Sequence, residues 1–403
     1  MTIPSLAYQN AHTMQATISY ISHTFPSIHT YVLQYTLHDC LTNPKTSVYV
    51  RILSLQLLYA LLCSEEEGRQ MRVGGGGGGG GPPTLPYPPL EGGEFDILTQ
   101  TLFECIESEG KMLYGHEVPT HIHTHTHTHT QGKDAPSPSE FAYTAAAVCL
   151  VGLMKLKRFA DTIEPTQWQD MAWVCISPVT YTRREVVYAL KEVTTYHNIH
   201  PRFLCYLCLY ANDEDSELQE LACNALTLAI KQLRKTHDDL GVKLLRVDTE
   251  SEREKLHAMA SLTMPEIIVP YLLYLLSYHP HFPTSIHVTT TSDKEGMKDM
   301  VRCIHMLFTS LQASLKKESS NLPFLFKQLN ILASRCHDKY DANNIGIAFV
   351  TRLTVKLLQE QIKTSDNVQT YPGEIVLPMD IYAYTPQGDM QATLMKSAGG
   401  ARG

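Results

Sequence analysis

Residues 293–315 read DKEGMKDMVRCIHMLFTSLQASL, and the spacing of this stretch decides the fold. Val301, Ile304, Leu307, Phe308, Leu311 and Leu315 recur three and four positions apart, which lines one side of an α-helix. A strand would alternate instead. Outward from here the same signal returns: Val186, Val187, Leu190 and Val193 form one stripe, and Leu218, Leu221, Ala222, Ala225 and Ala229 form another. Strand alternation over more than a few residues is hard to find, and hairpin turn residues are mostly missing. The fold class is therefore all-α.

The breakers are spaced for paired helices. Pro26, Pro44, Pro165, Pro178, Pro201, Pro265, Pro280 and Pro323 punctuate the chain where a proline starts a helix rather than interrupting one. Asp293, and Ser319 or Ser320 ahead of Pro323, read as N-terminal caps whose side-chain oxygens accept orphan amide protons. Three segments share one plan, a polar or β-branched start running into an apolar helix: Ser47 to Arg51 into Leu53 to Leu62, Tyr181 to Arg184 into Val186 to Val193, and Asp215 to Leu218 into Ala222 to Ile230. With an intervening helix at Phe203 to Tyr210, the last two span roughly the 40 residues of a HEAT-type unit. One helix pair leaves an apolar face open, so such units stack into a helical-repeat solenoid whose long surface suits other chains.

Two low-complexity islands interrupt the pattern. Gly74 to Gly81, followed by a Pro-rich stretch through Pro89, offers no side chains to pack and reads as a flexible insert. The alternating His/Thr tract His121 to Thr130, running into Gln131 to Ser139, has no apolar face to bury. Between them Ile97, Leu98, Leu102, Cys105 and Ile106 predict one helix over Phe95 to Ile106. The expected organisation is helical repeats over 1–70, an insert over 71–93, a helix of the array over 94–112 and a second insert over 113–139. A C-terminal array over 140–365 and an extended closing segment with a disordered tail over 366–403 complete it.

At 403 residues the chain exceeds the length over which one core keeps growing, and its 43% hydrophobic and 18% charged residues place it among folded proteins. A formal charge of -8 opposes broad attraction to phosphate backbones, so any link to DNA is expected to run through a protein partner. Cysteines scattered singly in apolar runs, such as Cys149, Cys205, Cys223 and Cys303, are the usage of a reducing compartment. Met1 to Ala11 show no basic region leading into an apolar core, and the apolar run Ile267 to Leu276, interrupted by Pro270, is too short to cross a bilayer. A nuclear or cytosolic protein without a membrane segment is expected.

Several groups of residues carry side chains capable of chemistry. His121, His123, His125, His127 and His129 stand two apart, on one side of an extended chain, and imidazoles so placed bind Zn, Ni or Cu, yet a repeat expansion in an insert explains them better. His197, His200, Cys205 and Cys208 supply four zinc-type ligands, but the cysteines lie among Phe203, Leu204, Leu207 and Leu209 with no turn to aim them, and read as core. The polyglycine matches a phosphate-binding loop trivially, with neither a preceding strand nor a following Gly-Lys-Ser. Lys231, Arg234, Lys235, Lys243, Arg246, Arg253 and Lys255 are interleaved with Asp238, Asp239, Glu250, Glu252 and Glu254, which reads as a solvated mixed-charge face before an anionic-partner patch. Lys316 and Lys317 suit a helix C-terminus. Glu65-Glu66-Glu67 and Asp213-Glu214-Asp215 sit at predicted helix ends without the burial that would tune a catalytic carboxylate. No Gly-x-Ser-x-Gly, His-Glu-x-x-His or kinase-type set is present. The expectation is a non-enzyme with no catalytic, cofactor-binding or metal residues and no cofactor.

Several stretches together resemble a known family. Ala145 to Leu156 (AAAVCLVGLMKL), Ile163-Glu164-Pro165-Thr166-Gln167-Trp168, Arg184 heading the next helix, and above all Pro265-Glu266-Ile267-Ile268-Val269-Pro270-Tyr271 with Leu275, Leu276 and Pro280 are similar to the C-terminal HEAT array of the sister chromatid cohesion proteins of the precocious-dissociation-of-sisters family. Lys298 to Leu307, Val376-Leu377-Pro378 with Tyr384 and Pro386, and upstream Lys45 to Leu62 and Phe95 to Glu109 extend the resemblance over most of the chain. The resemblance implies a nuclear, non-catalytic cohesin regulator that binds the kleisin subunit and cooperates with the release factor and the acetyltransferase, with indirect association to chromatin and no direct sequence-specific nucleic acid binding. The residues alone support equally a helical-repeat adaptor of the trafficking or nuclear-transport type.

Overall fold

The structure is a computed structural model that describes residues 50–57, 59, 92–111, 137–283, 290–315, 319–362, 369–370 and 375–384. The polyglycine and His/Thr islands, Glu65 to Glu67, Lys316, Lys317 and Pro386 lie outside the described residues. By its internal contacts the chain divides into two compact units, Met1–His200 and Pro201–Gly403. The architecture is all-α, each unit built by helix stacking on helix as in a helical-repeat solenoid.

In the first unit, α1 (Gly92–Glu107) packs on α2 (Pro138–Leu153), and α2 packs on α5 (Thr180–Tyr196). Two shorter helices, α3 (Lys157–Thr162) and α4 (Pro165–Val174), lie between them in sequence. The α2 helix starts with a capping box: Ser137 Oγ accepts from the Glu140 amide while the Glu140 carboxylate accepts from the Ser137 amide. Its inner face is Ala142, Ala145, Ala146, Cys149, Leu150 and Leu153, all buried. Small residues there let neighbours approach closely. A Cβ on Gly152 would stand 2.0 Å from the Tyr59 hydroxyl, so a larger residue there would displace that ring. Thr144 and Thr182 share a buried hydroxyl hydrogen bond of 2.8 Å that fixes α2 against α5. On α1 the predicted stripe holds for Leu98, Leu102, Cys105 and Ile106, whereas Ile97 is exposed because it falls on the outer face.

The second unit opens with a segment of three short pieces rather than one helix: a 3-10 turn at Pro201–Leu204, α6 (Cys205–Leu209) and a second 3-10 turn at Tyr210–Asn212. Phe203 to Tyr210 are buried without exception, and a segment enclosed on all sides has no solvent face to shape a regular amphipathic helix. Around it pack α7 (Ser216–Leu244), α9 (Ile268–Ser277) and α10 (Thr291–Ala313), while α8 (Glu250–Thr263) folds back on α7. Both α11 (Leu322–Arg335) and α9 pack on α12 (Ile345–Ile362). Strand structure among the described residues is confined to two short pairs: β1 (Ser319–Ser320) with β3 (Gln369–Thr370), parallel, and β2 (Cys336–Asp338) with β4 (Tyr382–Tyr384), antiparallel.

Two expected caps move. Thr290, not Asp293, caps α10: its hydroxyl accepts from the Asp293 amide at 3.0 Å, and the Asp293 carboxylate accepts from the Thr290 amide at 3.4 Å. Asp293 is the returning half of a capping box. Ahead of α11 the cap position is Asn321, with Pro323 in the first turn, and Ser319 and Ser320 belong to the β1 strand.

Candidate functional site

The run Pro265 to Tyr271 is the structural hinge of the second unit. Pro265 starts a 3-10 turn at Pro265–Ile267 that leads directly into α9, and Pro270 falls in the first turn of α9, where its missing amide proton removes only an orphan donor. Ile267 to Leu276 are all buried, so Glu266 places a carboxylate, 0% exposed, inside apolar packing. A buried charge of this kind needs a partner. Arg234 of α7 supplies it, with Nη2 donating to Glu266 Oε1 at 2.7 Å, and Asn321 Nδ2 donates to the same oxygen at 3.0 Å. Arg234 also donates from Nε to Ser314 Oγ at 2.6 Å and from Nη2 to the Leu311 carbonyl at 3.2 Å. The Arg234–Glu266 pair thereby ties together α7, the turn that leads into α9, the end of α10 and the start of α11.

Arg234 consequently leaves the mixed-charge face to which its neighbours in sequence assign it. Lys231, Lys235, Lys243, Arg246, Arg253 and Lys255 are exposed, as that reading expects, but Arg234 is buried. The signal that would have found the pair is Glu266 itself, a lone charge in a run otherwise apolar.

The closing segment docks on the same helix. Leu377, Ile381 and Tyr382 are buried, and β4 pairs with β2 in the register Cys336↔Tyr384, His337↔Ala383, Asp338↔Tyr382. The Tyr382 hydroxyl donates to the Pro270 carbonyl at 2.8 Å, and its ring meets that of Tyr274 edge to face at 5.8 Å. The Tyr271 hydroxyl donates to Asp380, whose carboxylate stands 3.6 Å from Arg202. Burial beside these carboxylates raises the Tyr271, Tyr274 and Tyr382 phenols, keeping them protonated as donors. Asp338, buried, accepts from the Tyr278 hydroxyl, from Asn344 Nδ2 at 3.0 Å and from the Tyr340 amide at 2.8 Å. The Pro265 to Tyr271 run and the closing segment thus contact each other, and their polar groups are used in holding the unit together.

The zinc-type cysteines lie in the core of the second unit. Cys205 and Cys208 are fully buried; the Cys205 thiol points to the Ile268 carbonyl at 3.6 Å and that of Cys208 to the Leu204 carbonyl at 3.9 Å. Burial pushes both thiols up, and that of Cys303 to about 12, which holds them protonated and weakly nucleophilic. His197 is exposed at the end of α5. No group of three or more His, Cys, Asp and Glu gathers in metal-binding geometry among the described residues. Of the acid cluster at 213–215, Asp215 caps α7, accepting from the Glu217 amide at 2.9 Å, and Asp213 accepts from the Asp215 amide at 2.9 Å. The start of α4 is organised similarly: Gln167 Oε1 accepts from the Glu164 amide at 3.2 Å, which seats Trp168 in the core. No described helix is long and apolar enough to cross a membrane.

Stacked helices locked by buried pairs define a helical-repeat protein. A family model described as sister chromatid cohesion protein PDS5 matches residues 98–383, which include both the Pro265 to Tyr271 run and the docked closing segment. Since that match covers more than half of the chain, the chain belongs to the PDS5 family of sister chromatid cohesion proteins. Comparison with curated proteins gives no match.

Proposed function

We propose that the chain is a non-catalytic scaffold that regulates the cohesin complex in the nucleus, binding the kleisin subunit on the outward faces of its helices, with residues 140–365 as the working array. The release factor and the acetyltransferase are further partners, and association with chromatin is indirect. The observation that carries this reading is the family match over residues 98–383 on an all-α stack. Two physical features support it. The buried ionisable groups Arg234, Glu266 and Asp338 are taken up in structural hydrogen bonds, and raised thiol pKa values favour packing over nucleophilic attack. Rigid helices present fixed side chains to a partner segment, whose affinity then rests on a few anchors.

The test is retention of a kleisin-derived segment by the purified full chain in a pull-down and by calorimetry. Retention is expected. A chain with a helical circular dichroism spectrum and a cooperative melt that fails to retain the segment overturns the proposal.

A further inference from the structure

The outward side of α10 carries a feature that the cohesion reading does not use. Its inner side is sealed by Met300, Cys303, Ile304, Leu307, Phe308 and Leu311. Outside, three rows run along the helix at four-residue spacing: half-buried Met297 and Val301, then exposed Lys294 and Lys298 with Arg302, then Glu295 and Asp299. The cation row lies between the apolar and the acidic rows. A cleft of about 250 Å³ lies on the apolar side, and Met297, Lys298, Val301 and Arg302 line it. Asp299 stands 3.3 Å from His281 Nδ1 and 3.5 Å from the Arg302 guanidinium, so Arg302 already has one carboxylate beside it. Among the described residues, Lys294 and Lys298 enter no ion pair.

We infer that this face docks a short acidic segment of a partner protein, with an apolar anchor side chain in the cleft beside Met297 and Val301 and carboxylates along Lys294, Lys298 and Arg302. Charge complementarity selects the occupant. A cleft large enough for one aliphatic or aromatic side chain, lined by the Lys298 ammonium and the Arg302 guanidinium beside Met297 and Val301, matches a peptide that alternates acidic and apolar residues. A nucleic acid would use the cations but leave the apolar floor beside Met297 and Val301 uncovered. The inference rests on the reading of the chain as a partner-binding array, not on the identity of that partner.

The experiment is fluorescence anisotropy of the full chain with a labelled peptide alternating glutamate and leucine, beside a lysine and leucine peptide of equal length and a single-stranded oligonucleotide. The glutamate peptide is expected to bind alone. Joint reversal by Lys298→Glu and Arg302→Glu is expected to weaken it by about tenfold or more, since each reversed pair turns attraction into repulsion. Reversal to Glu of exposed Lys243, in the last turn of α7, and of exposed Arg246, just beyond it, is expected to leave it unchanged. Absence of binding to the wild-type chain, equal binding of the three probes, or loss on reversing Lys243 and Arg246 alone overturns the inference. Both variants are checked for unchanged melting. Should the glutamate peptide bind while the kleisin segment does not, the face stands and the cohesin reading fails; should the kleisin segment bind while the glutamate peptide does not, the face fails.

Discussion

The α9 segment and the α7–α8 hairpin are neighbours in sequence and both are helical, yet they bury opposite amounts of their surface. Every residue of α9 from Ile268 to Ser277 is enclosed, whereas Ala260 is the buried residue of α8 among those described, facing a half of α7 in which Arg234 and Leu240 are buried. Val242, Leu245 and Met259 stand exposed there, Leu245 at 88%. His237 Nδ1 lies 2.9 Å from the Ala260 carbonyl and supplies one polar fastening between the two helices. A helix held by tertiary packing and a helix held largely by its own propensity and one neighbour differ in how mutation and local opening act on them.

That contrast is broken most forcefully at Glu266. Glu266→Ala leaves Arg234 charged and enclosed, and unfolding by urea should report a loss of about 3–5 kcal/mol. Replacing both partners, Arg234→Met with Glu266→Leu, should restore most of it, because the cost lies in the stranded charge rather than in the missing attraction. If the single and double variants are equally damaged, the cost lies in the missing attraction and hydrogen bonds of the pair and not in a stranded charge.

The turn after α9 sharpens the comparison through pH. Burial holds the His279 imidazole at about 4, below its ordinary 6.5, while its Nδ1 accepts from the His281 amide at 3.1 Å. The folded chain therefore binds fewer protons here than the unfolded one between these values. Stability from this group is complete above pH 6.5, falls as pH drops towards about 4 and levels off below, each pH unit removing at most about 1.4 kcal/mol. His279→Gln should flatten the slope of the melting midpoint between pH 6.5 and 4.5, and an unchanged slope would reject the assignment.

Smaller effects follow. Tyr382→Phe removes the donor to the Pro270 carbonyl while keeping the ring, and chemical denaturation should show a loss of about 1 kcal/mol. Leu245→Ser, at the open end of α7, should change stability by less than about 0.5 kcal/mol. A large loss at Leu245 would mean that this end is covered in solution, and the two regions would no longer contrast.

The helices were legible because apolar spacing is a property of each segment alone: the stripes of α5, α7 and α10 fall where Val186, Ala222 and Leu307 place them. The Thr290 cap is also written in the sequence, as threonine followed three positions later by an acid, but Asp293 lies nearer the apolar stripe and carries an equally good capping oxygen. Arg234 was not legible from its surroundings, since a lone arginine among exposed lysines looks like one of them. Its burial is set by Glu266, 32 positions away, and by an Asn321 on another helix. The internal breaks of the Phe203 to Tyr210 segment likewise come from packing on all sides, which no local period encodes. The candidate docking row on α10 could be read as spacing, but its cleft depends on which side of the helix the rest of the unit leaves open.

The Tyr382 contact also bears on biosynthesis. Its acceptor on Pro270 lies 112 residues earlier in the chain, so as the nascent polypeptide leaves the ribosome, α9 is made long before the strand that covers it. For that interval the Pro270 carbonyl and the edge of the Tyr274 ring wait for the hydroxyl and ring that close over them.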